Sequence, residues 1–273
     1  MKFKCRMSDG IAMRDFSNIV NTVVRASKLC VFRLTKQHVY FFVGDKRWPV
    51  IWAELTPDNF FDEYTMIGVS TQHDEIFLEL EPSMLARSLS SLKMTAKPVK
   101  IKLTNKQQPC LTIELELSSL STESRHCVHD VPVRVIPRKE WEMYQTPDIP
   151  QFDITIEMPE LKHIRHQVDR MRNMSGQITI IADRTGQLIL KIETDHATIA
   201  THFQGLLIKG SKPITDQKYS AKVEIKKFAM FLSGDTMHPD NVTCNIVHER
   251  MLNLCLMIEG HLTMQYFVPA MSS

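Results

Sequence analysis

Apolar and polar residues alternate with a period of two through most of the chain, the pattern of strands that bury one face and solvate the other. The clearest runs are residues 100–103, 111–117, 177–181, 188–192 and 253–257. Four stretches replace this alternation with the spacing of an amphipathic helix, and they predict helices over 9–28, 82–93, 160–172 and 224–233. Pro82 suits the first turn of the second helix, where a missing N–H costs nothing.

The order of these elements repeats. A strand at 2–7 leads into a long helix, several strands, a short helix and three strands ending near Ile136. A strand at 152–158 then restarts the series, which closes at Val268. This duplication predicts an α+β chain of two topologically repeated domains, each with two helices packed on antiparallel sheets. Between them stand Pro137, Pro147 and Pro150, whose missing donors exclude central strand pairing. The predicted organisation is an N-terminal domain at 1–136, a connector at 137–151 and a C-terminal domain at 152–273. A chain of 273 residues is long enough to bury two separate cores. Open sheet edges in such domains invite pairing with another chain, and a closed ring of subunits removes them.

Composition changes this picture in two ways. No apolar run approaches the roughly 20 residues of a membrane helix, and the first ten residues lack the grammar of a secretory signal, so a soluble intracellular protein is expected. The six cysteines are scattered in apolar stretches, as buried free thiols of a reducing compartment are. The net charge of +2 is too small for a generally basic nucleic-acid binder, but it is unevenly spread. The four predicted helices sum to +6, which leaves the remainder at −4 (2 less 6). A basic helical layer within an acidic exterior points to a polyanion held without sequence preference. The helix faces nominate Arg14, Arg25, Lys28, Arg87, Lys162, Arg165, Arg170 and Lys226 as contacts to a DNA backbone. Ordinary solvated helix faces are the alternative.

Other chemistry finds little anchor. His163, His166 and Asp169 recur at helical spacing, and His126, Cys127, His129 and Asp130 cluster in one strand, which leaves a metal-dependent hydrolase as a competing reading. Strand alternation places Cys127 and His129 opposite His126 and Asp130, a poor geometry for convergent ligands. No phosphate-binding glycine loop, nucleophile elbow or dinucleotide turn occurs, so no catalytic residue, metal or cofactor is assigned.

Longer stretches carry a resemblance. Phe60-Phe61, the runs 68–70, 75–80, 101–106 and 109–112, the run from His129 to Arg138, and the runs 190–194, 201–203, 244–247 and 265–270 fall in the order and spacing of one family. The chain resembles the Hus (hydroxyurea-sensitive) subunits of the nine-one-one checkpoint clamp, heterotrimeric relatives of the proliferating-cell nuclear antigen. The stretches 43–48 and 205–219 depart from the family pattern. The resemblance implies the DNA-clamp fold, helices lining a pore, and two other clamp subunits completing a heterotrimeric ring. It also implies an ATP-dependent clamp loader, double-stranded DNA held through its backbone, repair and signalling proteins as partners, and a nuclear location. A partner-peptide pocket near the connector would involve Trp141, Ile149, Phe267, Val268 and Pro269, with closure of the second domain's core as the alternative role of Trp141 and Phe267. A homotrimeric replicative clamp is the second functional reading.

Overall fold

The computed structural model describes residues 1–45, 48–90, 98–117, 125–210 and 217–271. The chain divides into two compact units, Met1–Thr146 with Gly260–Leu262, and Pro147–Glu259 with Thr263–Ser273. The division falls inside the predicted connector, between Thr146 and Pro147.

The first unit runs β1 (Lys2–Met7), α1 (Gly10–Ala26), β2 (Cys30–Leu34), β3 (Val39–Asp45), β4 (Trp48–Leu55), β5 (Glu63–Ile67), β6 (Ile76–Leu80), α2 (Pro82–Ser90), β7 (Val99–Asn105), β8 (Pro109–Leu117) and β9 (Arg125–Val135). Its strands pair in the order β4-β3-β2-β6-β9-β8-β7-β1-β5, and every register given is antiparallel. The predicted residues 91–93 of the second helix lie outside the described residues.

The second unit runs β10 (Ile154–Glu157), α3 (Leu161–Arg172), β11 (Gln177–Asp183), β12 (Leu188–Glu193), β13 (Thr198–Phe203), β14 (Ile208–Lys209), β15 (Lys218–Glu224), α4 (Ile225–Leu232), β16 (Asn241–Val247), β17 (Met251–Ile258) and β18 (Leu262–Pro269). It forms one sheet in the order β14-β10-β16-β17-β18 and another in the order β13-β12-β11-β15. In that second sheet β13 ends the row, with a paired neighbour on one side only among the described residues.

Each unit lays two helices side by side, α1 with α2 and α3 with α4. The helices are held by the stripe their periodicity predicts. On α1, Phe16, Ile19, Val20 and Val23 are buried, and the Phe16 ring meets Phe61 at 5.7 Å and Phe41 at 6.1 Å. On α4, Phe228, Phe231 and Leu232 are buried, and Phe231 meets Tyr266 of β18 edge-on at 5.0 Å. Aromatic contacts of this geometry add to the burial of large rings.

The start of α1 is set by Asp9, whose Oδ2 accepts the Ala12 N–H at 2.7 Å. This satisfies one of the four unpaired donors of a helix start. Asp9→Ala is expected to cost about 0.5–2 kcal/mol of stability, read as a lowered midpoint in urea, whereas Asp9→Asn keeps an acceptor and should stay near the parent. Equal midpoints for the two substitutions would remove the cap from the account.

All six cysteines are free, and Cys5, Cys30, Cys110 and Cys244 are buried. Burial pushes the Cys244 thiol up to about 12, which suppresses its thiolate and hence its reactivity. Among the described residues no helix is long and apolar enough to cross a membrane.

The first half of the predicted connector is folded. Residues Arg138–Tyr144 form a 3-10 helix. Trp141 is buried, its ring lies against Phe77 at 4.7 Å, and its Nε1 donates to the Ile136 carbonyl at 3.0 Å. Tyr144 is also buried and packs edge-on against Phe42 at 5.3 Å. Trp141 thus closes the core of the first unit, not that of the second as the sequence alternative had it, because the chain turns back over β6 as soon as β9 ends.

Candidate nucleic-acid interface

Burying one stripe of an amphipathic helix leaves the opposite stripe in solvent. Arg14, Arg25 and Lys28 on or just past α1, Arg87 on α2, Lys162, Arg165 and Arg170 on α3, and Lys226 on α4 are all exposed. On α1, Arg14, Asn18, Asn21, Arg25 and Lys28 follow the helical repeat along one side, opposite Phe16, Ile19 and Val23. On α3, Leu161, Ile164, Val168 and Met171 are buried, which turns the cations away from the sheet.

Few of these charges are neutralised locally. Arg14 pairs with the adjacent Asp15 at 3.3 Å and Arg165 with Asp169 at 4.0 Å. Among the described residues no carboxylate lies within 4.0 Å of Arg25, Lys28, Arg87, Lys162, Arg170 or Lys226. The observed helices carry +7, so the rest of the chain sums to −5 (2 less 7). Unpaired guanidinium and ammonium groups on a rigid helix are suited to phosphate oxygens, since they need no carboxylate displaced before they bind.

Arg172, outside the eight residues nominated from the sequence, lies on this surface too. It is exposed, sits in the last turn of α3 with Arg170, and has no carboxylate within 4.0 Å among the described residues. The signal was present in the spacing, since Lys162, Arg165, Asp169 and Arg172 fall at i, i+3, i+7 and i+10. An open cleft on the same face is lined by Lys162, His163, Arg165, His166, Asp169 and Asp235.

The exterior is not uniformly acidic, contrary to the expectation from the charge sum. Lys2, Lys4 and Arg6 alternate with buried Phe3, Cys5 and Met7 on β1, and Lys100 and Lys102 alternate with buried Val99 and Ile101 on β7. A sum over sequence cannot register that strand pairing gathers these five on one face.

The histidine clusters do not assemble a metal centre. Among the described residues no group of three His, Cys, Asp or Glu side chains is placed to hold an ion. Cys127 Sγ lies 3.0 Å from His129 Nε2. Asp130 is engaged by Lys106 at 2.7 Å and by Thr112. Lys106 first and Thr112 second hold the Asp130 carboxyl below its usual range. His163 lies 3.7 Å from Glu160.

Of the five residues nominated for a partner pocket, Trp141 belongs to the first unit and the other four to the second. Trp141, Phe267 and Val268 are buried. Ile149, at 49% exposure, and Pro269 reach solvent.

Comparison with known proteins decides the family. A profile described as Hus1-like protein matches residues 1–272. The chain is 38% identical to human checkpoint protein HUS1 over 285 aligned positions, covering 100% of both chains. The chain belongs to the Hus1 family. A further member, the Hus1-like checkpoint protein of Drosophila melanogaster, is 29% identical with 99% of each chain covered. Among solved structures, the proliferating cellular nuclear antigen of Entamoeba histolytica superimposes with a TM-score of 0.70 at 13% identity, covering 98% of this chain and 99% of that one. That likeness assigns the clamp fold, in agreement with the α+β repeat expected from the sequence. Hus1 membership sets aside the homotrimeric replicative clamp.

Proposed function

We propose that this Hus1-family chain is one of three unlike subunits of a ring-shaped checkpoint clamp that encircles duplex DNA at damaged sites. It serves there as a scaffold for checkpoint signalling and repair and performs no catalysis itself. The single observation that carries the reading is the family match along residues 1–272, and the clamp fold supports it. The physics is consistent. Cations on four rigid helices hold phosphates through counterion release, which is strong in aggregate and indifferent to base sequence, so a ring so lined slides.

The DNA-facing set is Arg14, Arg25, Lys28, Arg87, Lys162, Arg165, Arg170 and Lys226, to which Arg172 is added. The unpaired edge of β13 offers backbone donors and acceptors for joining a neighbouring subunit. An ATP-dependent loader opens and closes the ring, and the complex acts in the nucleus. Repair and signalling proteins dock on the second unit at Ile149 and Pro269, which reach solvent while Phe267 and Val268 are buried; Trp141, nominated with them from the sequence, is left to the core of the first unit. Ile149 is the residue through which docking is tested, since it is exposed and its truncation leaves the buried members in place.

The experiment is native mass spectrometry of the chain alone and after co-expression with the two other checkpoint-clamp subunits of the same organism. One copy of each of three chains is the expected assembly. A ring of three identical copies formed by this chain alone would overturn the proposal.

A further inference from the structure

The solvent-facing side of β1 and β7 carries a stripe of like charge that the helical layer does not use. In the antiparallel register Lys4 stands opposite Lys102 and Arg6 opposite Lys100. Like charges directly opposite each other destabilise a sheet, so the arrangement needs a compensating anion. Protein carboxylates supply part of it from either side. Glu63 on β5 meets Lys4 at 3.4 Å and Arg6 at 3.2 Å, and Glu114 on β8 meets Lys102 at 2.8 Å. Lys2 and Lys100 have no carboxylate within 4.0 Å among the described residues. The buried Arg6 Nε likewise has no acceptor among them. Among the described side chains, the five cations of β1 and β7 exceed the two carboxylates that pair with them, Glu63 and Glu114, by three (5 less 2).

We propose that this face docks an extended acidic segment of a partner protein, laid along β1 and β7. The shape of the charge selects the ligand. The cations occupy two neighbouring strands, a stripe about 10 Å wide, with Glu63 on one border and Glu114 on the other. Duplex DNA, with one charge per roughly 1.7 Å of axis, would set phosphates against both borders. A single extended chain presents every second side chain on one face, about 6.6–6.8 Å apart, the same repeat as Lys2, Lys4 and Arg6. Beyond Arg6 and Lys100 the stripe opens into a groove lined also by Glu114, His126 and Cys127; Glu114 is already held by Lys102. Among the described residues β1 and β7 present no Phe, Tyr or Trp ring to solvent on this face, the rings on which single-stranded nucleic acid stacks best. The proposal does not depend on ring formation or on the helical DNA contacts.

The test is fluorescence anisotropy of the full chain with a labelled decapeptide of alternating Glu and Thr, at low and physiological salt. Saturable binding that weakens with salt is expected. The triple variant Lys4→Gln, Lys100→Gln and Lys102→Gln should lose about tenfold or more in affinity. Lys100→Gln alone breaks no ion pair, so it serves as the second variant if the triple fails to fold, and it should lose about threefold. Lys139→Gln with Lys218→Gln, exposed cations outside both surfaces, should bind as the parent does. Undiminished binding by the stripe variants would overturn the proposal. So would tighter binding of a ten-nucleotide oligothymidylate that the same variants abolish, since the face would then be a nucleic-acid site.

Discussion

Replacing Lys162, Arg165, Arg170 and Arg172 by glutamate is expected to weaken retention of duplex DNA by the assembled three-subunit clamp by about 10²–10³-fold near physiological salt. Each cation that faces a phosphate releases close to one counterion, so removing four should also flatten the dependence of log affinity on log salt by about four. All four side chains are exposed, and surface changes of this type leave a fold largely intact. Their helix is anchored by Leu161, Ile164, Val168 and Met171, which the substitutions do not touch. Arg170 and Arg172 do favour the C-terminal end of the helix dipole. The corresponding glutamines, which remove charge without reversing it, should therefore lose less in binding and show an unchanged circular dichroism spectrum. The measurement is salt-dependent retention on a circular duplex, where a closed ring cannot slide off an end. A variant clamp retained as the parent is, with the same salt slope, would place the helical cations elsewhere than on DNA.

The second large effect is structural. Trp141→Ala is expected to destabilise the first unit by about 3–5 kcal/mol, equivalent to a fall of roughly 6–20 °C in its melting temperature. The indole is 8% exposed, lies on Phe77 at 4.7 Å, and is the donor to the Ile136 carbonyl at 3.0 Å. Removing it opens a cavity and strands a buried acceptor, two costs that add. Trp141→Phe keeps most of the volume but not the donor, so it should cost about 1–3 kcal/mol. Differential scanning calorimetry of the three proteins distinguishes them. A melting temperature within a degree or two of the parent for the alanine variant would show that the ring contributes little to the core and stands free for docking.

These two predictions differ in how far they could be read from the amino-acid order. The cationic helix faces were legible because a helix brings residues three and four apart together without outside help. Arg14, Arg25, Lys162 and Arg170 could thus be assigned to the side opposite a named apolar stripe, and the same spacing held Arg172. The role of Trp141 was not legible. A tryptophan between prolines reads equally as a docking residue or a core closure, and the choice rests on Phe77, which is brought to it only by the antiparallel placement of β6 beside β9. The stripe on β1 and β7 was hidden for the same reason. Lysines alternate plainly in each strand, but nothing in either segment says that Lys4 will face Lys102.

The sequence by itself determined the series of strands and helices, its repetition, the buried side of each element and the amphipathic placement of charge, because all of these follow from periods of two and 3.6 along a local segment. Tertiary structure alone decided which segments become neighbours, and with that the burial of Trp141, the pairing of Asp130 with Lys106, and the gathering of five cations on one sheet face. Contacts between residues far apart in the chain depend on strand register, and register is fixed by the burial of whole faces together rather than by any one segment.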